Sequence, residues 1–349
     1  MKVAVVGGGG WGTAIAALLA NKFANTAPKD DAPEIVLWVR SESLAAVLSA
    51  SRINEQYLPG VILPDSLKIT SRFDYAIAGA EYIVLATPSH AVRETASRLA
   101  ENLRGRASGI TVVSLTKGLE TGTLKRMSEV ISEEFPEIAG RLAVMSGPNH
   151  AEEVGRACPT ATVVAAADPA VAEAVQDLFM APSFRVYTNE DVIGVEVGGA
   201  LKNIIALAVG IADGLGFGDN SKAALMTRGL AEICRLGVAM GARPITFAGL
   251  SGIGDLIATC TSRHSRNRRA GISLACGKSA AQLQAETPMV VEGIRAAEAA
   301  FYLSRKLNVK MPITNQVFAV LYLGKPPRDA VTELMAREKT RETEEIPLV

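Results

Sequence analysis

The sequence predicts an α/β region over residues 1–193, built on a mostly parallel sheet, and an all-helical region over 194–349. Three observations carry this. Short apolar, β-branched runs alternate with helical stretches in the first half, the pattern of strands buried on both faces. That strand signal vanishes after Asp191. A glycine-rich turn joins the first strand to the first helix, as in parallel α/β sheets that bind phosphate-bearing ligands. The length of 349 residues suits two domains, each with its own core.

In chain order, Val3–Val6 reads as a buried strand and Gly12–Phe23 as a helix. Further strands are expected at Ile35–Val39, Tyr82–Ala86, Ile110–Leu115, Leu142–Met145 and Thr162–Val164, with a helix over Thr123–Phe135. The second region reads as helices at Gly194–Gly210, Ser221–Met240, Arg266–Ala275, Gly293–Leu307, Ile313–Leu323 and Arg328–Arg337. The polar stretch Asn25–Pro33 reads as a loop, and the charged tail after Glu338 as a frayed end.

Composition removes several classes. With 48% hydrophobic and 21% charged residues the chain is not disordered. Its 36 basic residues balance 36 acidic ones, so it is no general nucleic-acid binder. Cys158, Cys234, Cys260 and Cys276 are widely spaced, which argues against a disulfide framework or a zinc site and fits a reducing, cytoplasmic compartment. His90, His150 and His264 have no metal-ligand spacing, so no metal is expected. The uncharged run Val3–Asn21 superficially resembles a signal peptide, but Gly7–Gly10 interrupts it. No other run reads as long enough to span a bilayer. The 31 glycines against 5% aromatics imply close approach of elements or ligands.

Gly7-Gly8-Gly9-Gly10-Trp11-Gly12 satisfies GxGxxG in its informative context, after a strand and opening a helix. Gly7 would permit the tight turn, Gly9 the approach of a pyrophosphate and Gly12 the packing of helix on strand. The helix N-terminus offers free N–H groups to the anion. The second strand is read as ending at Arg40, which favours the 2′-phosphate of NADP(H), while Glu42 close by leaves NAD(H) possible.

Lys117 follows a strand, at the end where open α/β sheets hold ligands. Lys202 stands alone among small and apolar helical residues, either snorkelling or functional. Gly198 and Gly199 thin that helix face and make room for a planar ring, and burial would lower the lysine's pKa toward proton transfer. Asp255 reads either as a helix N-cap or as an acid that orients a lysine. The basic stretch Ser262–Arg269 reads as a solvated charge run or as a phosphate grip at a helix start, and lacks the interleaved aromatics of a nucleic-acid site.

With these strings in place, the chain resembles the NAD(P)-dependent sn-glycerol-3-phosphate dehydrogenases of bacterial type. The likeness runs through Gly9–Ala14, Tyr57–Gly60, Thr116–Glu120, Ser146–Pro148, Val195–Asn203, Asp213–Asn220, Gly252–Leu256 and Ser265–Arg269. It implies an N-terminal Rossmann-like dinucleotide-binding domain, a helical substrate-binding domain, and a site between them. It implies reduction of dihydroxyacetone phosphate to sn-glycerol 3-phosphate for phospholipid synthesis, in a homodimer. By similarity, Lys202 is the proton donor and acceptor, and Lys117 contacts cofactor and substrate. Gly147, Asn149, Asn203, Asp255, Thr259, Ser265, Arg266 and Asn267 would face the substrate. Gly10, Trp11, Arg40, Ala151, Arg266, Val290 and Glu292 would face the cofactor. Asn149-His150 depart from the family's usual small hydroxyl residue and Phe. Two other readings remain. One is a β-hydroxyacid or ketopantoate-type dehydrogenase, against which the Ser265–Arg269 phosphate signal argues. The other is a non-catalytic NADPH sensor, against which Lys117 and Lys202 argue.

Overall fold

The computed structural model describes residues 1–26, 32–286 and 290–342. The chain divides into two compact units. The first comprises Met1–Thr116, Met127–Met145 and Asn149–Val192; the second comprises Lys117–Arg126, Ser146–Pro148 and Ile193–Val349.

The first unit is a Rossmann-like α/β layer structure. Its elements are β1 (Lys2–Val6), α1 (Gly10–Thr26), β2 (Glu34–Trp38), α2 (Glu42–Ser51), β3 (Ile53–Asn54), β4 (Leu58–Ile62), β5 (Lys68–Thr70), α3 (Phe73–Ile77), β6 (Tyr82–Leu85), α4 (Val92–Leu103), β7 (Thr111–Ser114), α5 (Met127–Glu134), β8 (Leu142–Ser146), α6 (Ala151–Gly155), β9 (Thr160–Ala166), α7 (Pro169–Phe179) and β10 (Phe184–Asn189). Eight strands form one sheet in the order β10-β9-β8-β7-β6-β1-β2-β5. β1 pairs in parallel with both β2 and β6, in register Val3 with Ile35 and with Tyr82. β3 and β4 form a separate antiparallel pair.

Strand periodicity explains why the runs are apolar throughout. Val3, Val5, Ile35, Leu37 and Val84 enter one core with α1 and α7. Their neighbours Ala4, Val6, Val36, Trp38, Ile83 and Leu85 enter the opposite core with α3, α4 and α5. Both faces are covered, so neither register position can be polar.

Several boundaries move. β2 ends at Trp38, so Arg40 lies in the turn into α2, where Ser41 accepts the Leu44 N–H as N-cap. The helix expected from Thr123 starts at Met127, because Gly122 and Leu124 adopt positive φ and the chain there folds back. Asn25 and Thr26 close α1; residues 27–31 of the expected loop, and 343–349 of the tail, lie outside the described residues.

The second unit is helical, and among the described residues no strand follows Asn189. Its helices are α8 (Val192–Gly214), α9 (Asp219–Ala239), α10 (Asp255–Thr261), α11 (Arg266–Ala275), α12 (Ala280–Glu286), α13 (Glu292–Lys306), α14 (Pro312–Tyr322) and α15 (Pro327–Met335). α8 is the axis: every residue from Gly194 to Ala212 is buried. By length and composition this helix, with an 18-residue stretch of mean hydropathy 1.7, could cross a membrane, which corrects the reading that no such run exists; here 89% of that stretch is buried in the protein. Backbones meet closely at its glycines. A Cβ on Gly210 would stand 2.0 Å from the Arg268 carbonyl, and one on Gly271 2.2 Å from that of Leu207. On α9, the buried Glu232 caps another helix. Its carboxylate accepts the backbone N–H of Ile313 and of Thr314 and the Thr314 hydroxyl at the start of α14. Burial, opposed by those bonds, pushes its pKa up to about 7.

Candidate active site

In the first unit, the glycine turn between β1 and α1 has the stereochemistry that the motif requires. Gly7 sits at φ +126°, and a Cβ there would meet the Ala86 carbonyl oxygen at 2.6 Å. A Cβ on Gly12 would lie 1.9 Å from the Gly7 oxygen, so a side chain is excluded where helix packs on strand. A Cβ on Gly10 would stand 2.5 Å from the Tyr57 carbonyl oxygen and 3.7 Å from the Ala151 methyl. Gly9 differs: a Cβ there would meet nothing within 4 Å. That open face, at the N-terminus of a 17-residue helix, fits a dinucleotide pyrophosphate. The Trp11 indole N–H nearby is buried without a hydrogen-bond partner. Arg40 and Glu42 are both exposed. Asn149, at the departure from the family pattern, is buried, and its amide donates to the Thr162 hydroxyl at 3.2 Å.

In the second unit, three expected catalytic residues converge. Lys117 leaves the sheet after β7, Lys202 lies midway along α8, and Asp255 opens α10. The carboxylate of Asp255 stands between two ammonium groups. Its Oδ1 accepts from Lys202 and its Oδ2 from Lys117 at 2.9 Å. Lys202 also donates to the Thr259 hydroxyl at 2.6 Å, and that hydroxyl donates to Asp255 at 3.3 Å. Lys117 donates further to the Gly147 carbonyl at 2.9 Å. The snorkelling alternative for Lys202 therefore fails, since its side chain is only 6% exposed and its ammonium bonds Asp255 and Thr259. The N-cap alternative for Asp255 fails too, because its carboxylate is spent on the lysines.

The electrostatics follow from burial and from the triad of charges. Burial brings the Lys202 pKa down to about 8; Asp255 opposes that shift and Lys117 adds to it. For Asp255, burial would raise the pKa, but Lys117 and Lys202 together hold it below the usual carboxylate range. Burial pushes the neighbouring Cys260 up to about 12, so it stays a thiol.

One expectation needs correction. Gly198 and Gly199 do not open α8 to a planar ring, because the protein fills both positions. A Cβ on Gly198 would stand 2.5 Å from the Ser251 carbonyl, and one on Gly199 2.4 Å from the Ser146 hydroxyl and 3.5 Å from the Lys117 stem. The phosphate grip is also partly engaged within the protein. Ser265 caps α11 by accepting the Arg268 N–H at 3.2 Å. The Asn267 amide donates to Asn203 at 2.8 Å and accepts the Gly293 N–H at 2.9 Å, tying α8, α11 and α13 together. Arg266 is exposed and reaches the Val290 carbonyl at 3.1 Å, next to Glu292 at the start of α13. Sequence reading missed Arg126 and Glu196, a buried ion pair at 2.6 Å. No local signal marks them, since seventy residues separate the partners.

Residues 2–172 match the family model described as NAD-dependent glycerol-3-phosphate dehydrogenase N-terminus, and residues 191–332 the one described as its C-terminus. A glycerol-3-phosphate dehydrogenase [NAD(P)+] from Moorella thermoacetica is 55% identical over 343 residues, covering 98% of each chain. Its counterpart from Pelotomaculum thermopropionicum is 53% identical, over 99% of this chain and 96% of its own. A crystal structure of glycerol-3-phosphate dehydrogenase from Coxiella burnetii superposes with a TM-score of 0.87 at 35% identity, covering 96% of this chain and 99% of that one.

Proposed function

The chain belongs to the NAD-dependent glycerol-3-phosphate dehydrogenase family, and from that membership we propose that Lys202, Lys117 and Asp255 form its catalytic centre. The reaction is the nicotinamide-linked reduction of dihydroxyacetone phosphate to sn-glycerol 3-phosphate. The nicotinamide cofactor supplies the hydride that adds to the ketone carbon. What this chain must supply is stabilisation of the charge growing on the ketone oxygen, and then a proton. Lys202 does both: its ammonium is buried, so its charge is poorly screened, and its pKa near 8 keeps the proton transferable. Asp255 orients that ammonium and keeps it charged at neutral pH, while Lys117 adds positive potential beside it. The observation that carries this reading is the single buried carboxylate between two ammonium groups.

The remaining assignments extend this reading. The first unit acts as the dinucleotide-binding domain through Gly7, Gly9, Gly10, Trp11 and Gly12, with Ala151. NADP(H) is favoured through the exposed Arg40, with NAD(H) accepted. Gly147, Asn149, Asn203, Thr259, Ser265, Arg266 and Asn267 bind the phosphorylated three-carbon substrate; Arg266, Val290 and Glu292 also meet the cofactor. The enzyme serves glycerophospholipid synthesis as a cytoplasmic homodimer, and its four cysteines, all free thiols, suit that compartment.

The deciding experiment follows NAD(P)H absorbance with dihydroxyacetone phosphate, free dihydroxyacetone and a ketopantoate-like acid in parallel. Consumption with the phosphorylated ketone alone supports the assignment. Lys202→Met lowers turnover at least ~100-fold, the low end for a lost general acid. A near-normal rate in the folded variant removes Lys202 from the role.

A further inference from the structure

Lys117 reaches Asp255 from a segment with an unusual course. The chain leaves β7, and residues Lys117–Arg126 belong to the helical unit before Met127 returns to the first unit in α5. Within this excursion Leu119 and Arg126 form an antiparallel bridge, and the Glu120 N–H bonds the Lys125 carbonyl at 2.9 Å. The ten residues thus make a closed loop with Lys117 at one end and Arg126 at the other. Each end is fastened. Leu119 is buried in the core with Val197, Ala200 and Leu201 of α8. Arg126 pairs with Glu196 of α8 at 2.6 Å, with only 13% and 4% of the two side chains exposed. Glu196 lies less than two turns before Lys202 on that same helix.

We propose that Arg126 and Glu196 are positioning residues for the reaction. Their ion pair fixes the Lys117 loop to the helix that carries Lys202, and so sets the Lys117–Asp255–Lys202 geometry. The chemistry of the pair favours this over a purely stabilising role. A buried ion pair contributes little net stability over a well-packed apolar pair, but it holds one register firmly. Gly199 lets the Lys117 stem lie close against α8, so a slip of the loop would directly misplace the ammonium. This inference rests on Lys117 being functional.

The test uses the full-length protein with both partners replaced, Arg126→Met/Glu196→Met, beside Glu196→Gln, which keeps the packing, and Lys117→Met. Each is checked for folding by circular dichroism and melting temperature. In the double variant and in Glu196→Gln, kcat/KM falls about 10- to 100-fold, the cost of a displacement near one ångström. The alkaline limb of the reductive pH profile also moves upward, because Lys117 no longer depresses the Lys202 pKa. A role in stability alone would lower the melting temperature and leave that limb in place. Arg126→Lys restores part of the rate. Folded Glu196→Gln or double variant with the parent's kcat, KM and pH limb would overturn the inference, provided Lys117→Met is impaired. If Lys117→Met itself is unimpaired, the catalytic reading of Lys117 falls instead, and the inference with it.

Discussion

Replacing Asp255 by Asn keeps the shape of the side chain and removes the one charge that holds Lys202 protonated against burial. With the Lys202 pKa near 8, reductive kcat/KM has a limb there. The protonated fraction is about 90% at about pH 7 and about 10% at about pH 9, whereas an ordinary lysine would stay above about 95% at both. The wild type therefore loses about tenfold between those pH values. In the variant, burial and Lys117 both still act to lower the Lys202 pKa, and the opposing Asp255 charge is gone. The limb moves to lower pH; activity at about pH 7 falls about twofold when the limb reaches about 7, and about tenfold for each further pH unit below that. Two ammonium groups left without their shared partner also destabilise the fold by about 3–5 kcal/mol, read as a lower melting temperature. The assay is NAD(P)H absorbance at limiting dihydroxyacetone phosphate, above about pH 7 so that substrate phosphate, with its second pKa near about 6, does not titrate. A limb that stays near 8 in the variant, or moves upward, refutes the electrostatic account of this site.

Further predictions concern other parts of the molecule. Gly9→Ala folds with an unchanged melting temperature, since its Cβ meets nothing, yet weakens NAD(P)H binding at least ~10-fold by crowding the pyrophosphate; Gly12→Ala, with a methyl 1.9 Å from the Gly7 oxygen, fails to fold. Arg40→Ala raises the KM for NADPH about 10- to 100-fold, the worth of a charged hydrogen bond, and leaves that for NADH alone; an equal effect on both removes Arg40 from 2′-phosphate recognition. Glu232 holds its proton up to about 7 in the folded protein but only to the ordinary 4.5 when unfolded, so wild-type stability declines as pH rises between these values. Glu232→Gln abolishes that slope in a series of melting temperatures against pH.

What the sequence revealed depended on whether a signal was local. The apolar strands and the small-residue helix α8 were legible because burial on all sides leaves a continuous run. Edge and one-sided elements were not: β10 alternates buried and exposed residues, and α4 mixes charge with its apolar stripe. Gly7, Gly9 and Gly12 were readable because their spacing encodes stereochemistry. Lys202 stood out as a charge in apolar surroundings, but the carboxylate that it bonds, Asp255, is fifty-three residues away. The misreading of Gly198 and Gly199 has the same origin. A glycine announces that something approaches, and the sequence does not say whether it is a ligand or the Ser251 backbone.

The two visits that the first half of the chain pays to the helical unit bear on how the protein can be made. Residues 117–126 and 146–148 leave the ribosome well before α8, so Leu119 has no core to enter until the second half arrives. A gene cut at the last crossing, after Val192, would therefore not yield a self-sufficient helical half. That fragment would carry Glu196 without its arginine, Asp255 with one lysine instead of two, and a gap where Leu119 belongs. Co-expression of the two halves, and not either alone, is the arrangement under which a split enzyme could recover its site.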